Sequence, residues 1–421
     1  MKFTTDNLTT EDPRLGTAGW LARMVLSRMS RVTEGSLVVE EEGRTHRMGS
    51  SRDDLPEAHI RVHDDRFWAA IARRGSIGAG EAYADGWWTS EDPTAVVRLF
   101  VRNREVLEGM EGGLARLSSP IQKVYHGLRK NTEKGSRANI SAHYDVSNEF
   151  FALFLDETMT YSCGVFERED STLLEASVAK IDRLCKKLRL SPNDHLLEIG
   201  TGWGALAIHA ASKYGCRVTT TTISREQHAL AKERIQEAGL EDRITLLFED
   251  YRNLKGTFSK LVSVEMIEAV GHAYYDTFFS TCAHLLEPDG LMALQAITIA
   301  DQHYESAKRS VDFIQRHIFP GSCIPSVTAL LQSSSRASDL RIVHLEDIGP
   351  HYAPTLAAWR KNLRARWEDA RALGLTEEFL RMWEFYFCYC EGGFEERHIS
   401  DVHMILQRPR GRQAPILAEL G

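Results

Sequence analysis

Residues 196–204 read LLEIGTGWG, and ALAIHAASKY follows directly. An apolar run that stops at three alternating glycines and resumes at helical spacing is a strand turning sharply into a helix. Downstream the pattern continues with strand VTTTT (218–222), helix 225–238, strand ITLLF (244–248), strand LVSV (261–264), helix 274–286 and strand LMALQAITI (291–299). Upstream, Leu174, Val178, Ile181, Cys185 and Leu188 step at helical spacing. Strands alternating with helices predict an α/β fold with a doubly wound, mostly parallel, Rossmann-like sheet. In helix 274–286, Tyr275, Phe278, Phe279, Cys282 and Leu286 form one apolar stripe that reads as core.

A turn after the first strand of such a sheet lies at the carboxyl ends of the strands, where ligands bind. Gly200, Gly202 and Gly204 would let the backbone approach a ligand with no Cβ in the way. A dinucleotide fingerprint needs GxGxxG and an acid about 20 residues further on. Here the spacing is GxGxG and the next strand ends in TTTT, so NAD and FAD are excluded. S-adenosylmethionine (SAM) has no pyrophosphate to seat and does not need that spacing. Glu198, in the first strand, is placed to orient the methionine end, and Asp250, in FEDYRNL, to read the adenine amino group. SAM is the expected cofactor.

The chain has 421 residues, enough for two or three domains at about 150 each. Its net charge of −8 gives the whole molecule no electrostatic case for nucleic acid. Seven scattered cysteines with no CxxC point to a reducing compartment, with neither a disulfide scaffold nor a metal site expected. No apolar run reaches the ~18 residues of a membrane span, and MKFTTDNLTTEDPRLG is too polar for a secretory signal. A cytoplasmic protein is expected.

Residues 1–117 read as a smaller N-terminal α+β domain, with strand signals SLVVEE and HIRVHD and an amphipathic stretch from Leu15 to Arg31 carrying Trp20, Met24 and Val25 on one side. That stretch fits a helix docked on its own domain better than one lying on lipid. Residues 118–142 form a linker that begins at Ser118-Ser119-Pro120 and holds KVYHGLRKNTEKGSR (123–137), five basic residues against one acidic. Such a stretch is either a solvated linker or a contact for anionic headgroups. Residues 143–421 are the catalytic domain, and 303–408 within it read as a mostly helical, aromatic cover over the ligand face.

HYDVSNEFF (143–151), TMTYSCG (158–164), LLEIGTGWG, EDYRNL (249–254), VEMIEAVGH (264–272), HYAPTLAAW (351–359) and CEGGF (390–394) together resemble the cyclopropane fatty acid synthases and their mycolic acid relatives. GEAYADGWW (80–88) resembles the N-terminal domain of the longer, phospholipid-using members. The likeness runs in one order from about residue 36 to 408.

This resemblance implies a SAM-dependent methyltransferase acting on a cis double bond of a phospholipid acyl chain, with bicarbonate taking a proton from the new methyl group so that a cyclopropane closes. It implies a bicarbonate site from backbone groups of Cys163 and Ile297, the Glu268 carboxylate and the Tyr352 hydroxyl. The SAM site would use Tyr161, Ser162, the Gly200–Gly204 turn, Thr222, Gln227, Asp250, Tyr251 and Arg252. The expected partner is a phospholipid bilayer with unsaturated acyl chains, met peripherally at its inner face; a homodimer is the assembly considered. Cys163 has no partnered base in sequence and is not read as a nucleophile, and His143 is read as structural. Most aromatics of 143–166 are expected in core or acyl-tunnel lining, with Tyr161 nearest the sulfonium. Better-known members carry histidine where this chain has Gln295. Its amide can donate to an anion but cannot carry a proton. A methyl- or methylene-branched chain without a ring is therefore the alternative product.

Overall fold

In the catalytic unit β5 (His195–Ile199) is central, flanked by β6 (Arg217–Thr222) and β8 (Phe258–Val264), both parallel to it. The computed structural model describes residues 17–106, 147–412, 414 and 416; the basic stretch 123–137 and His143 lie outside them. The chain divides into two units, Met1–Ser118 and Ser119–Gly421.

In the second unit β7 (Ile244–Phe248), β9 (Leu286–Ile299), β10 (Arg341–Asp347) and β11 (Ile399–Gln407) complete a seven-stranded sheet ordered β10-β11-β9-β8-β5-β6-β7. β11 runs antiparallel to both neighbours. Alternation along the strands sorts the core: Leu197, Ile199, Leu261, Met292, Leu294 and Met404 join a cluster with helix Tyr275–Leu285. Leu196, Val218, Val262, Ala293 and Ile405 pack with helices Leu173–Leu188 and Ala205–Tyr214. Tyr275, Phe278, Phe279, Cys282 and Leu286 are all buried, as the stripe predicts.

Residues 303–408 are mostly helical, as expected, but two strands that the sequence reading missed lie there as well. VHMILQ is buried almost throughout because β11 inserts between β9 and β10, so it lacks the alternation that marks a half-exposed strand. β10 alternates, as an edge strand does. Helices Tyr352–Ala365 and Glu377–Glu395 supply the aromatic cover between them.

The first unit holds a four-stranded sheet, β2-β1-β3-β4, from β1 (Ser36–Glu41), β2 (Arg44–Gly49), β3 (Glu57–Val62) and β4 (Trp88–Thr89). Helix Thr17–Met29 packs on helix Arg66–Ala84 of the same unit, burying Leu21, Val25 and Met29 while Trp20 stays exposed.

Helix Leu173–Leu188 is tied to edge strand β10 by charge. Arg183 Nε and the fully buried Lys187 both donate to Glu346, with Arg183 Nε at 3.0 and 3.1 Å from its two oxygens. Burial pushes the Lys187 ammonium down to about 8. Burial raises Glu346 as well, but hydrogen bonds from Arg183 and Lys187 outweigh that and leave it below the usual carboxylate value. Removing one partner of a buried pair typically costs about 3–5 kcal/mol. Glu346→Ala should lose about 3 kcal/mol in urea unfolding, and adding Lys187→Met should recover part of it.

Candidate active site

The three glycines end β5 in left-handed backbone, with φ of +103° at Gly200, +53° at Gly202 and +90° at Gly204. The Gly200 and Thr201 amides donate to Thr221 O at 3.0 and 3.1 Å, which ties the turn to β6. A Cβ built at Gly202 meets nothing within 4 Å, so the turn is an open cradle. Glu198 is buried, with Oε2 accepting from Thr220 Oγ1 at 2.6 Å. The Thr220 hydroxyl lies 2.7 Å from that of Thr201 in the turn. Glu198 therefore braces the cradle through two threonines. Burial pushes its carboxyl up to about 8, against the Thr220 hydrogen bond and the Lys180 charge.

At the end of β6, Thr222 Oγ1 donates to Gln227 Oε1 at 2.8 Å and accepts from the Ser224 amide at 3.1 Å. After β7, Asp250 accepts from the Arg252 amide (3.0 Å), Nε (2.8 Å) and Nη2 (2.7 Å). Tyr251 turns its ring to the core, 5.7 Å from that of Phe278. Ser162 accepts from the buried Lys180 ammonium at 2.7 Å. Tyr161 sits among aromatic rings, with centroids 5.1 Å from Trp359, 5.3 Å from Phe151 and 6.4 Å from Phe319, and its hydroxyl is 3.0 Å from that of Tyr386. Phe150, Phe151 and Phe154 are fully buried.

Cys163, Gln295, Ile297, Tyr352 and Glu268 do converge, but around a residue that the sequence reading passed over. Glu265 follows β8 directly, with φ +45°. Left-handed backbone is uncommon for a non-glycine residue and stores about 1–3 kcal/mol of strain. Glu265 Oε1 accepts from the Cys163 amide at 2.8 Å and from Gln295 Nε2 at 2.7 Å. Oε2 accepts from the Tyr352 hydroxyl at 2.6 Å. Glu268 Oε1 takes the Ile297 amide at 2.5 Å, while its buried Oε2 has no hydrogen-bond partner among the described residues. Burial, and then the Glu265 charge, push the Glu268 carboxyl up to about 8.

Asp401 is the third carboxyl, fully buried, with Oδ2 accepting from Gln295 Nε2 at 2.8 Å. Burial and the neighbouring Glu265 hold it well above the usual value. Burial keeps the Cys163 thiol protonated, its Sγ 3.2 Å from Gly164 O. A Cβ at Gly200 would lie 3.6 Å from the Met266 side chain, so the cradle and the Glu265–Glu268 segment are neighbours. The signal for Glu265 was a second glutamate three residues before Glu268, at the carboxyl end of the fourth strand of the wound sheet.

The family described as mycolic acid cyclopropane synthetase matches residues 131–405. The chain belongs to this family. It is 38% identical over 343 residues to a tuberculostearic acid methyltransferase of Mycobacterium tuberculosis, covering 80% of each chain. It is 35% identical over 366 residues to the cyclopropane-fatty-acyl-phospholipid synthase of Escherichia coli, covering 86% of this chain and 91% of that one. A solved mycolic acid cyclopropane synthase complexed with SAH and CTAB is 34% identical, with a TM-score of 0.61 over 64% of this chain and 98% of its own. This cyclopropane synthetase family member is thus a SAM-dependent methyltransferase.

The residues present fit SAM, since the open, Cβ-free cradle follows the first strand of the sheet. They do not fit bicarbonate. The Cys163 amide, the Gln295 amide and the Tyr352 hydroxyl are spent on Glu265, and the Ile297 amide on Glu268. An added anion would find a carboxylate where donors were expected, and like charges in a buried site repel strongly.

Gly202→Val should leave a folded protein, with strain of about 1–3 kcal/mol from a branched residue at positive φ, yet show no SAM binding by calorimetry; wild-type affinity would put the cofactor elsewhere.

Glu198 and Glu268, both pushed up to about 8, stay protonated in the folded chain while the unfolded chain ionises near 4.5. The folded state then holds more protons between those values, so stability falls as pH rises from about 4.5 to 8 and levels off above. Glu198→Gln should flatten part of that slope in thermal melts across the same window.

Proposed function

We propose that this methyltransferase transfers the methyl group of SAM to the cis double bond of an unsaturated phospholipid acyl chain. The observation that carries this reading is the open glycine cradle next to a carboxylate held by three hydrogen bonds. The named relatives support the substrate class: one is a tuberculostearic acid methyltransferase, the other a cyclopropane-fatty-acyl-phospholipid synthase.

When bound, SAM supplies a methyl group to which the alkene's π electrons bond as the carbon–sulfur bond breaks, leaving positive charge on the neighbouring carbon. The rings around Tyr161 can offer π faces to that charge, worth about 0.5–2 kcal/mol each. Glu265 adds a fixed acceptor, preorganised by Cys163, Gln295 and Tyr352. Neutral Glu268 and Asp401 keep further negative charge out of the patch. Cys163, protonated and buried, takes no covalent part.

Loss of a proton from the new methyl group closes a cyclopropane. A second reading, a branched chain without a ring, follows if hydrogen migrates to the cationic carbon before that proton leaves. The specific observation favouring it is Gln295, whose amide hydrogens already go to Glu265 and Asp401 and which cannot itself take a proton.

The site of action is the inner face of a phospholipid bilayer, met peripherally through the basic stretch 123–137. Among the described residues no helix is long and apolar enough to cross a membrane.

Lipids from a host expressing the protein should gain one CH2 unit on unsaturated acyl chains, and mass spectrometry with nuclear magnetic resonance should resolve ring from branch. Unchanged acyl chains together with methylation of a soluble small molecule would replace this reading.

A further inference from the structure

We infer that the Glu265 carboxylate is the proton acceptor of the reaction and stands where a bound bicarbonate would, so that this methyltransferase works without bicarbonate. The inference rests on the acyl-chain reading and names the base within it.

Four observations converge. The backbone-amide, side-chain-amide and phenol donors expected to hold a small anion are engaged, and three of them close on one side chain: the Cys163 amide, the Gln295 amide and the Tyr352 hydroxyl. A carboxylate offers about four lone-pair directions. Oε1 takes two of the three bonds and Oε2 takes the Tyr352 hydroxyl, while the buried Asp401 carboxyl is a further hydrogen-bonding neighbour of Glu265. Glu265 is also only partly buried, whereas Glu268, Gln295, Tyr352, Cys163 and Asp401 are buried. Of the three carboxyls, it is the one a substrate can approach.

The backbone at Glu265 is the third observation. Its positive φ is stabilised by its own amide, which donates to Gln295 O at 2.9 Å, so one β9 residue fixes both the main chain and the carboxylate of Glu265. Strained backbone held by its surroundings is common where a side chain must be aimed. Gln295 is fixed in turn. Its Nε2 spans Glu265 and Asp401, and its Oε1 lies 3.2 Å from His403 Nε2, directly across the β9–β11 ladder. His403 Nδ1 is 3.2 Å from Lys187 Nζ, which can only donate, so the imidazole hydrogen lies on Nε2 and the Gln295 oxygen accepts it.

Fourth, the charge in the patch is limited. Glu268 and Asp401 are held neutral by burial, so one acceptor there remains available for a proton.

The step balances. A C–H bond of the new methyl group breaks, its electron pair closes the ring or forms a carbon–carbon double bond, and the proton goes to Glu265 Oε2. The resulting carboxylic acid returns the proton to solvent after the product leaves. No oxidant or further reactant enters.

The test uses the full-length protein with SAM and vesicles of an unsaturated phospholipid, in buffer stripped of carbon dioxide and in buffer with added bicarbonate. Wild type should form product at the same rate in both. Glu265→Gln, which keeps the shape but is not a base, and Glu265→Gly, which suits the positive φ and vacates the site, should each lose about a hundredfold to ten-thousandfold in rate. Both should keep wild-type SAM affinity by calorimetry, which shows that they are folded. Added bicarbonate or formate should restore Glu265→Gly and leave Glu265→Gln inactive. A wild-type rate that falls on bicarbonate depletion, a variant at full rate without bicarbonate, or no rescue of Glu265→Gly by either anion would each overturn the inference. A wild type that binds SAM but never modifies the lipid would instead count against the acyl-chain reading.

Discussion

The amide of Gln295 carries the site: one hydrogen goes to Glu265 and the other to Asp401, while its oxygen takes the hydrogen of His403. Two carboxyls beside a third, Glu268, in a largely dry patch would repel unless donors were fixed between them. The β-ladder provides that fixing. Gln295 faces His403 across β9 and β11, and Asp401 lies two residues before His403, on the same face of β11. The register that buries Met404 and Leu406 in the core also sets Asp401 against Glu265. A one-residue slip would send Asp401 and His403 to the opposite face.

The same strand reaches outward to the charge network at the sheet edge. His403 meets Lys187, Lys187 meets Glu346 on β10, and Arg183 shares that carboxylate. The interaction that ties helix Leu173–Leu188 to β10 thus also sets the histidine tautomer that orients Gln295. From the same helix, Lys180 holds Ser162, next to Cys163, whose amide binds Glu265. Stability of the fold and alignment of the site share these contacts.

The parts of this arrangement that depend on local sequence were legible in it. The glycine turn, the parallel strands and the buried stripe of helix Tyr275–Leu285 each rest on periodicity or on a backbone conformation that glycine alone adopts readily. β11 was not legible, because it is buried on both faces and its apolar run looks like buried helix; β10 alternates, but its apolar Val343 and Leu345 lie on the exposed side. Glu198 was read from its place in the first strand as orienting the methionine end, but its contact with Thr220 comes from strand pairing and no local pattern announces it. Glu265 sat within a segment that resemblance had already assigned to Glu268. Its role depends on partners at Cys163, Gln295 and Tyr352, as far as 102 residues away in the chain.

Gln295 and Glu265 work as a pair. A neutral histidine at 295 has one ring hydrogen to give, so it could serve Glu265 or Asp401 but not both. The glutamine serves both at 2.7 and 2.8 Å and gives up any capacity to carry a proton. That loss places the acceptor elsewhere, and the Glu265 carboxylate, on a main chain bent to aim it, is the one we infer. Conversely, a glutamate at 265 beside a protonated histidine would become a neutralised ion pair, with the carboxylate less free to accept a proton. The neutral amide orients Glu265 without discharging it.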